Sequence, residues 1–167
     1  MSASADDVAA DPRDLYAACY ARLVGVLALV ATSRAEAEDV VQEAFVRLAP
    51  RWATICGYDD PEAWVRKVAF RLLSNRFRRA RHATAALLRS RPAEIVPEPS
   101  ADGVDVTRAL AKIPVAQREV VVLHHLLDRS VDEVAAELGI PVGTVKSRLS
   151  RARAALAPLL REETSRA

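Results

Sequence analysis

Residues 139–156, GIPVGTVKSRLSRARAAL, combine positive charges with small residues in a way that suits contact with a nucleic acid. The stretch carries four Lys or Arg side chains, and no Asp or Glu occurs between Gly139 and Arg161. Arginine and lysine can donate hydrogen bonds to guanine, and small hydroxyl side chains let a helix approach the bases closely. An ordinary surface helix mixes glutamate with its cations for pairing four residues apart, so this composition favours DNA binding.

The basic stretch follows a short predicted helix and a turn. In SVDEVAAEL, Ser130 and Glu133 have the spacing of a capping box, Gly139 suits a left-handed turn, and Pro141 follows it. This order predicts a helix-turn-helix, whose second helix enters the major groove of DNA. At about 100° per residue, one face of that second helix is apolar and is predicted to pack on the first helix. Its residues are Val142, Val145, Leu149, Ala152 and Leu156.

The opposite face of the second helix is predicted to bind DNA. From the centre of this face outward, its residues are Thr144, Ser147 and Arg151, then Arg148 and Ser150, then Lys146 and Arg153 at the border. Arg153 lies nearer the core side than Arg151, so we expect it to contact a phosphate rather than a base.

A second basic segment lies earlier in the chain. Residues 64–91 contain nine basic and no acidic side chains, and they stand between two acidic segments. Two such segments indicate two places for a polyanion, because contacts from several Lys or Arg side chains dominate nucleic-acid affinity. Trp64, Phe70 and Phe77 alternate with these cations, which suits stacking of single-stranded bases. The alternative, in which Trp64 and Phe77 are core residues, stays open.

The chain as a whole predicts an all-α fold of two small helical domains. Apolar residues recur at steps of three and four, without sustained strand alternation. Ser33 with Glu36 predicts a helix from Arg34, and Pro61 is predicted to begin a helix that ends near Arg81. RPAEIVPEPSADGVD lacks a helical period and predicts a flexible acidic, Pro-rich linker. The expected order is a disordered N-terminus (1–13), a first domain (14–90), the linker (91–106), a second domain with the helix-turn-helix (107–162) and a disordered tail (163–167).

Composition argues against several other classes of protein. The longest apolar run, Leu23–Ala31, is well short of the roughly 18 residues that a membrane span needs, and the N-terminus lacks the charge pattern of a signal peptide. We therefore expect a cytoplasmic chain with no membrane insertion. Cys19 and Cys56 have no metal-ligand spacing and are expected to be reduced packing residues. The histidines, His82, His124 and His125, lack ligand partners at suitable spacing, so no metal, cofactor or catalytic residue is expected.

Three stretches of the chain resemble the extracytoplasmic-function (group 4) sigma factors of bacterial RNA polymerase. They are AEDVVQEAFVRL (37–48), EAWVRKVAFRLLSNRFRR (62–79) and the segment from Ile113 to Leu156 with its LGIPVGTVKSRL core. The third motif also occurs in the output domains of response regulators. The combination of all three, in this order and across a linker, is specific to the sigma factors.

The resemblance implies a factor that binds core RNA polymerase, recognises the minus-35 and minus-10 promoter elements and melts the minus-10 region. Its implied contacts on the polymerase are the clamp helices of the largest subunit and the flap of the second-largest subunit, and an anti-sigma factor is a further candidate partner. The positions that match the polymerase-binding helix are Asp39, Gln42, Glu43 and Arg47. The implied minus-10 residues are Trp64, Arg66, Lys67, Arg71, Asn75, Arg78 and Arg79. The implied minus-35 contacts, Lys146, Ser147, Ser150 and Arg151, belong to the face chosen from helical geometry.

Two positions depart from the family pattern. Arg71 stands where the family usually has asparagine facing the melted strand, and Asn75 stands where aspartate is usual. We expect these departures to change the minus-10 sequence preference and to leave the role intact. The resemblance also implies that the acidic linker is threaded through the polymerase cleft toward the RNA exit, with Glu94, Glu98, Asp102 and Asp105 as its carboxylates.

A stand-alone regulator is the main alternative. The second domain alone would permit a helix-turn-helix protein that binds duplex operator DNA as a dimer. That hypothesis does not explain the basic segment at 64–91. Promoter binding that strictly requires core polymerase would discriminate against it.

Overall fold

Helices form nearly all of the described chain, which comprises residues 11–87 and 104–164 of a computed structural model. The first stretch contains α1 (Pro12–Ala28), α2 (Arg34–Leu48), α3 (Trp52–Ile55) and α4 (Pro61–Leu87). The second contains α5 (Val104–Ala111), α6 (Val115–Val121), α7 (Val131–Leu138) and α8 (Val142–Thr164). No strand occurs in either described stretch, and the predicted all-α fold is confirmed.

The predicted helix starts in the first domain are confirmed. The Ser33 side chain accepts a hydrogen bond from the Glu36 backbone N–H at 3.1 Å, where α2 begins. The Asp60 carboxylate accepts from the backbone N–H of Ala63 at 2.9 Å, just before α4. These bonds satisfy N–H groups that have no partner inside a helix. The α4 helix continues past its predicted end near Arg81, because the sequence that follows is rich in helix-forming residues and contains no Gly or Pro.

The turn of the helix-turn-helix forms as the sequence predicts. The Ser130 side chain accepts from the Glu133 N–H at 3.2 Å, and the Glu133 carboxylate accepts from the Ser130 N–H at 2.7 Å. The bond from the Ser130 backbone holds the pKa of Glu133 below its usual value. Gly139 ends α7 with φ 68° and ψ 38°, in the left-handed region that glycine adopts without strain.

Helices α1, α2 and α4 enclose the core of the first domain. Phe70 is its largest fully buried side chain, with Leu23 and Leu27 packed in the same cluster. Cys19 is buried there and donates to the carbonyl oxygen of Leu15 at 3.0 Å. Burial raises the pKa of the Cys19 thiol to about 11, so the thiol stays protonated and serves as a packing group.

A π-helical turn (Val122–Leu126) continues α6 in the second domain and carries two histidine rings in an edge-to-face contact, with centroids 4.7 Å apart. His124 Nδ1 lies 2.6 Å from the carbonyl oxygen of Arg129, and therefore carries the proton that it donates. The His125 side chain is largely exposed. Partial burial of its ring lowers its pKa, and the neighbouring His124 lowers that pKa further.

The helices extend beyond the predicted domain ends. Asp11 caps α1 through the Arg13 N–H, so the helix begins within the segment expected to be disordered. In the same way, α5 begins inside the predicted linker, and α8 ends inside the predicted tail. The remainder of the linker, with Glu94, Glu98 and Asp102, lies outside the described residues.

The two domains pack against each other through α4. This helix contacts α1 and α2 on one side and α6 and α7 on the other. Buried residues from both domains form one continuous apolar cluster. No helix in the described ranges is long and apolar enough to cross a membrane.

Candidate nucleic-acid interface

The α8 helix is held by the apolar face that its spacing predicts. Val145, Leu149 and Ala152 are buried, and Val142 and Leu156 are half-buried against the same core. At the start of the helix, the N–H groups of the first turn bond back to the carbonyl oxygen of Pro141. The core contacts therefore fix which side of α8 faces outward.

The predicted reading face of α8 is directed to solvent. Exposed side chains dominate it: Lys146, Ser147, Ser150, Arg151 and Arg153. Thr144 and Arg148 are half-buried at its edges. The Ser147 hydroxyl donates to the carbonyl oxygen of Thr144 at 3.0 Å, within its own helix.

The cations on the outer face of α8 form no ion pair within the described residues. No salt bridge in the described part of the chain involves Lys146, Arg148, Arg151 or Arg153. Positive charges that are exposed and unneutralised attract phosphate groups and gain counterion release when they bind them. The outer face of α8 is thus a ready polyanion-binding surface.

The predicted minus-10 residues divide into two groups along α4. Asn75, Arg78 and Arg79 are exposed near its C-terminal half, and Lys67 is half-buried. Trp64 and Phe77 are half-buried and pack against the core, whereas Phe70 is fully buried. Phe70 is thus a core residue and cannot stack on a base in this structure, and the contacts of Trp64 and Phe77 favour the packing interpretation for those two rings.

The other minus-10 candidates, Arg66 and Arg71, contact the second domain. Arg66 Nε donates to Glu137 Oε1 at 2.8 Å, and their side chains are only 7% and 9% exposed. Arg71 Nε donates to the carbonyl oxygen of Glu137 at 3.1 Å, and Arg71 Nη2 donates to that of Ala136 at 3.1 Å. Sequence patterns gave no sign of these contacts, because the bonded positions lie far apart in the chain.

A second polar contact joins α4 to α6. The Ser74 hydroxyl donates to Glu119 Oε1, and Glu119 is buried. Burial raises the pKa of Glu119, and the Ser74 hydrogen bond and the nearby Arg148 act in the opposite direction. The buried Glu119 carboxylate thus receives a hydrogen bond from Ser74, which belongs to the other domain.

The predicted polymerase-binding residues share one side of α2. Asp39 and Gln42 are exposed, and the Gln42 amide donates to the Tyr20 hydroxyl at 3.3 Å. Glu43 bonds to Arg47 at 2.6 Å and to Arg76 of α4 at 3.2 Å. Glu43 is therefore tied to the basic helix, whereas Asp39 has no salt bridge among the described residues.

Sequence reasoning missed an apolar part of this surface. Val46 is 71% exposed. It lies one turn from Gln42 and two turns from Asp39, on the same side of α2. Beside it, Tyr16 stacks on Tyr20 with ring centroids 4.5 Å apart, and Tyr16 is itself exposed. The available signal was that Val46 falls off the inward-facing apolar stripe of its helix.

The described residues contain no group of His, Cys, Asp or Glu side chains that could hold a metal ion. The chemistry that remains is recognition through cations, amides, hydroxyl groups and exposed apolar side chains.

Two family models match the chain in succession. The model for sigma-70 region 2 matches residues 15–83, and the model for sigma-70 region 4 matches residues 104–156. The first range contains most of α1, all of α2 and α3 and most of α4, and the second contains the helix-turn-helix. Together they cover most of the chain in the order that the motifs indicate.

The chain is also similar to sigma factors from several bacteria. The chain is 36% identical to the ECF RNA polymerase sigma factor SigM of Mycobacterium tuberculosis, over 79% of this chain and 68% of the relative. It is 35% identical to the RNA polymerase sigma-E factor of Streptomyces coelicolor, over 72% and 70% of the two chains. The ECF RNA polymerase sigma factor SigW of Bacillus subtilis is 30% identical, over 89% and 83%.

Two solved structures resemble the fold. The sigma factor RpoE in complex with the anti-sigma factor NepR from Bartonella quintana has a TM-score of 0.66 and 25% identity, covering 89% of this chain and 96% of that one. CnrH in complex with the cytosolic domain of CnrY has a TM-score of 0.56 and 28% identity, covering 90% and 88%.

Proposed function

Since the chain belongs to the extracytoplasmic-function sigma factors of bacterial RNA polymerase, we propose that α8 reads the minus-35 element and that α4 captures and opens the minus-10 element. A sigma factor binds core RNA polymerase and promoter DNA, and the polymerase performs the chemistry of transcription. We further propose that the exposed side of α2 docks on the polymerase. The observation that carries the DNA-binding assignment is the exposed, carboxylate-free face of α8.

The proposed minus-35 contacts follow from the orientation of α8. Ser147 and Arg151 lie one turn apart on the exposed side, and Lys146 and Ser150 stand beside them. The guanidinium group of Arg151 can donate two hydrogen bonds to a guanine, and Lys146 can donate one to O6 or N7. Arg153 lies a further half-turn along and is assigned to a phosphate.

The proposed minus-10 contacts lie on α4. Asn75, Arg78 and Arg79 form its exposed basic end and supply phosphate contacts and one amide for a base. Arg66 and Arg71 lie nearer the start of the helix and complete the proposed path of the strand. Trp64, at the first turns of α4, would stack on an unpaired base once its half-buried ring becomes accessible.

The stand-alone regulator is not favoured. Such a protein needs the helix-turn-helix alone, yet the region 2 model matches all of α2 and α3 and most of α1 and α4. Of the two structural neighbours described above, RpoE is a sigma factor bound to an anti-sigma factor, and CnrH is bound to the cytosolic domain of CnrY. We therefore include an anti-sigma factor among the proposed partners of this chain.

Removing the side chains of Asp39 and Gln42 is expected to weaken core-polymerase binding about tenfold, or about 1.4 kcal/mol. Both side chains are exposed, so their loss should change the free energy of unfolding by less than about 0.5 kcal/mol. Glu43 is left in place because it also bonds to Arg76. The measurement is a titration of fluorescent Asp39→Ala/Gln42→Ala chain with core polymerase, beside a thermal melt.

The matched control is Asp59→Ala, which removes an exposed carboxylate of the same domain outside α2. It should bind polymerase as the wild type does. Equal affinities for the control and the double variant, with both folded, would show that α2 does not dock on the polymerase.

A further inference from the structure

The contact between α4 and α7 contains a buried ion pair. Arg66 is 6% exposed and Glu137 is 7% exposed, although they come from different domains. Withdrawing two charges from water costs free energy that their attraction offsets only with good geometry. A buried pair of this kind is weak evidence for stability, but it strongly favours one arrangement of the two helices over others.

Arg71 reinforces the same arrangement by binding the end of a helix. The carbonyl groups of Ala136 and Glu137 lie in the last turn of α7, where carbonyls lack intrahelical partners and the helix dipole is negative. The Arg71 guanidinium supplies both the missing donors and a positive charge. An asparagine amide, which the family pattern places at position 71, would end well short of the arginine Nη2 atom.

Further bonds extend the contact to α6. Ser74 donates to the buried Glu119, and Arg118 Nη1 donates to the carbonyl oxygen of Val30 at 3.2 Å. Each bond joins the first domain to the second. The arrangement is therefore defined by several polar contacts at once, in addition to the apolar cluster that the domains share.

Two of the side chains in this contact are the arginines assigned to the minus-10 strand. We propose that α7 is an internal competitor for promoter DNA: in the free chain Glu137 and the C-terminal end of α7 hold Arg66 and Arg71, which the minus-10 strand must capture. This proposal rests on the proposed role of α4. In the packed arrangement of the two domains, called closed from here on, the buried Arg66 cannot reach a DNA phosphate while it is paired with Glu137, and Arg71 has two of its nitrogens engaged by α7. Full capture of the strand by both arginines therefore requires the closed arrangement to open.

The competition affects the two DNA-binding helices unequally. The reading face of α8 is exposed in the closed arrangement, whereas Arg66 is buried and Arg71 has both of its bonded nitrogens directed at α7. The closed chain thus engages two of the proposed minus-10 arginines, whereas the minus-35 surface and the exposed C-terminal half of α4 stay accessible. DNA that binds the open arrangement more tightly than the closed one shifts the population toward the open arrangement. The size of the shift is limited by the difference between its affinities for the two arrangements.

The test removes the charge of Glu137, which belongs to neither proposed DNA-binding surface. Glu137→Gln leaves Arg66 buried without a counter-charge and should open the chain. We expect full-length Glu137→Gln to bind a fluorescein-labelled single-stranded DNA of random sequence about tenfold more tightly than the wild type, without polymerase. Its radius of gyration in X-ray scattering should also exceed that of the wild type.

The matched control is Glu133→Gln, which makes the same charge change on the same helix at an exposed position. Glutamine can still accept the capping bond, so α7 remains intact. This variant should show the wild-type radius and only the small gain in DNA affinity that one lost negative charge produces. Equal DNA affinities for Glu137→Gln and Glu133→Gln would overturn the proposal.

A second variant keeps the test decisive if Glu137→Gln fails to fold. Ser74→Ala removes the hydroxyl that bonds to Glu119 and leaves every proposed DNA contact in place. It should raise both the radius of gyration and the DNA affinity, and no change in either would overturn the proposal. If an opened variant binds no single-stranded DNA at all, the assignment of α4 as a DNA-binding helix is wrong, and the proposal fails with it.

Discussion

Replacing Leu149 with alanine is expected to lower the free energy of unfolding of the second domain by about 2–5 kcal/mol. Leu149 is 4% exposed and fills the core between α8 and the helices that support it. The substitution leaves a cavity that the surrounding side chains close only in part. Denaturant unfolding followed by circular dichroism measures the loss.

The control for this prediction is Leu126→Ala, the same chemical change at a position that is 44% exposed in the same domain. Its cost should stay within about 0.5 kcal/mol, because little apolar surface is removed from a packed environment. If both leucines cost the same, Leu149 is not part of the core, and the face of α8 directed to solvent has been assigned incorrectly.

Replacing Arg151 with alanine is expected to weaken binding of holoenzyme to its preferred minus-35 sequence by about 1–3 kcal/mol and to relax preference at one base pair. Arg151 is exposed at the centre of the reading face, where its guanidinium group can reach a base edge. The measurement is binding to a library of minus-35 variants at two salt concentrations. Lys146→Ala should behave in the same way at a different base pair.

Arg153→Ala is the matched control, since it removes the same side chain from the same helix. A phosphate contact carries no sequence information, so this variant should weaken binding to all sequences about equally and lower the salt slope by about one unit. A uniform loss in both arginine variants, with base preference unchanged, would mean that α8 holds DNA without reading it.

Local features of the fold could be predicted because single residues determine them. Ser33 and Ser130 cap the first turns of α2 and α7, and Gly139 ends α7. Each acts through a hydrogen bond to a residue no more than four positions away. The apolar face of α8 follows from spacing alone, and its inward residues are the predicted ones. The end of α4 was less predictable, because no capping residue or breaker marks it.

Contacts between distant residues could not be predicted in the same way. A basic segment indicates polyanion binding whether or not one of its arginines is buried, so Arg66 gave no sign of its partner Glu137, 71 positions away. The role of Trp64 and Phe77 stayed open because aromatic side chains suit both a core and a base stack. Packing against the rest of the first domain decides their position here.

If this chain directs core RNA polymerase to promoters, transcription from those promoters must depend on it. Run-off transcription from a template library with randomised minus-35 and minus-10 elements, using core polymerase with and without the purified chain, measures that dependence. We expect discrete start sites and an enriched pair of elements only when the chain is present. Duplex DNA binding that needs no polymerase, together with no chain-dependent transcript, would contradict this expectation.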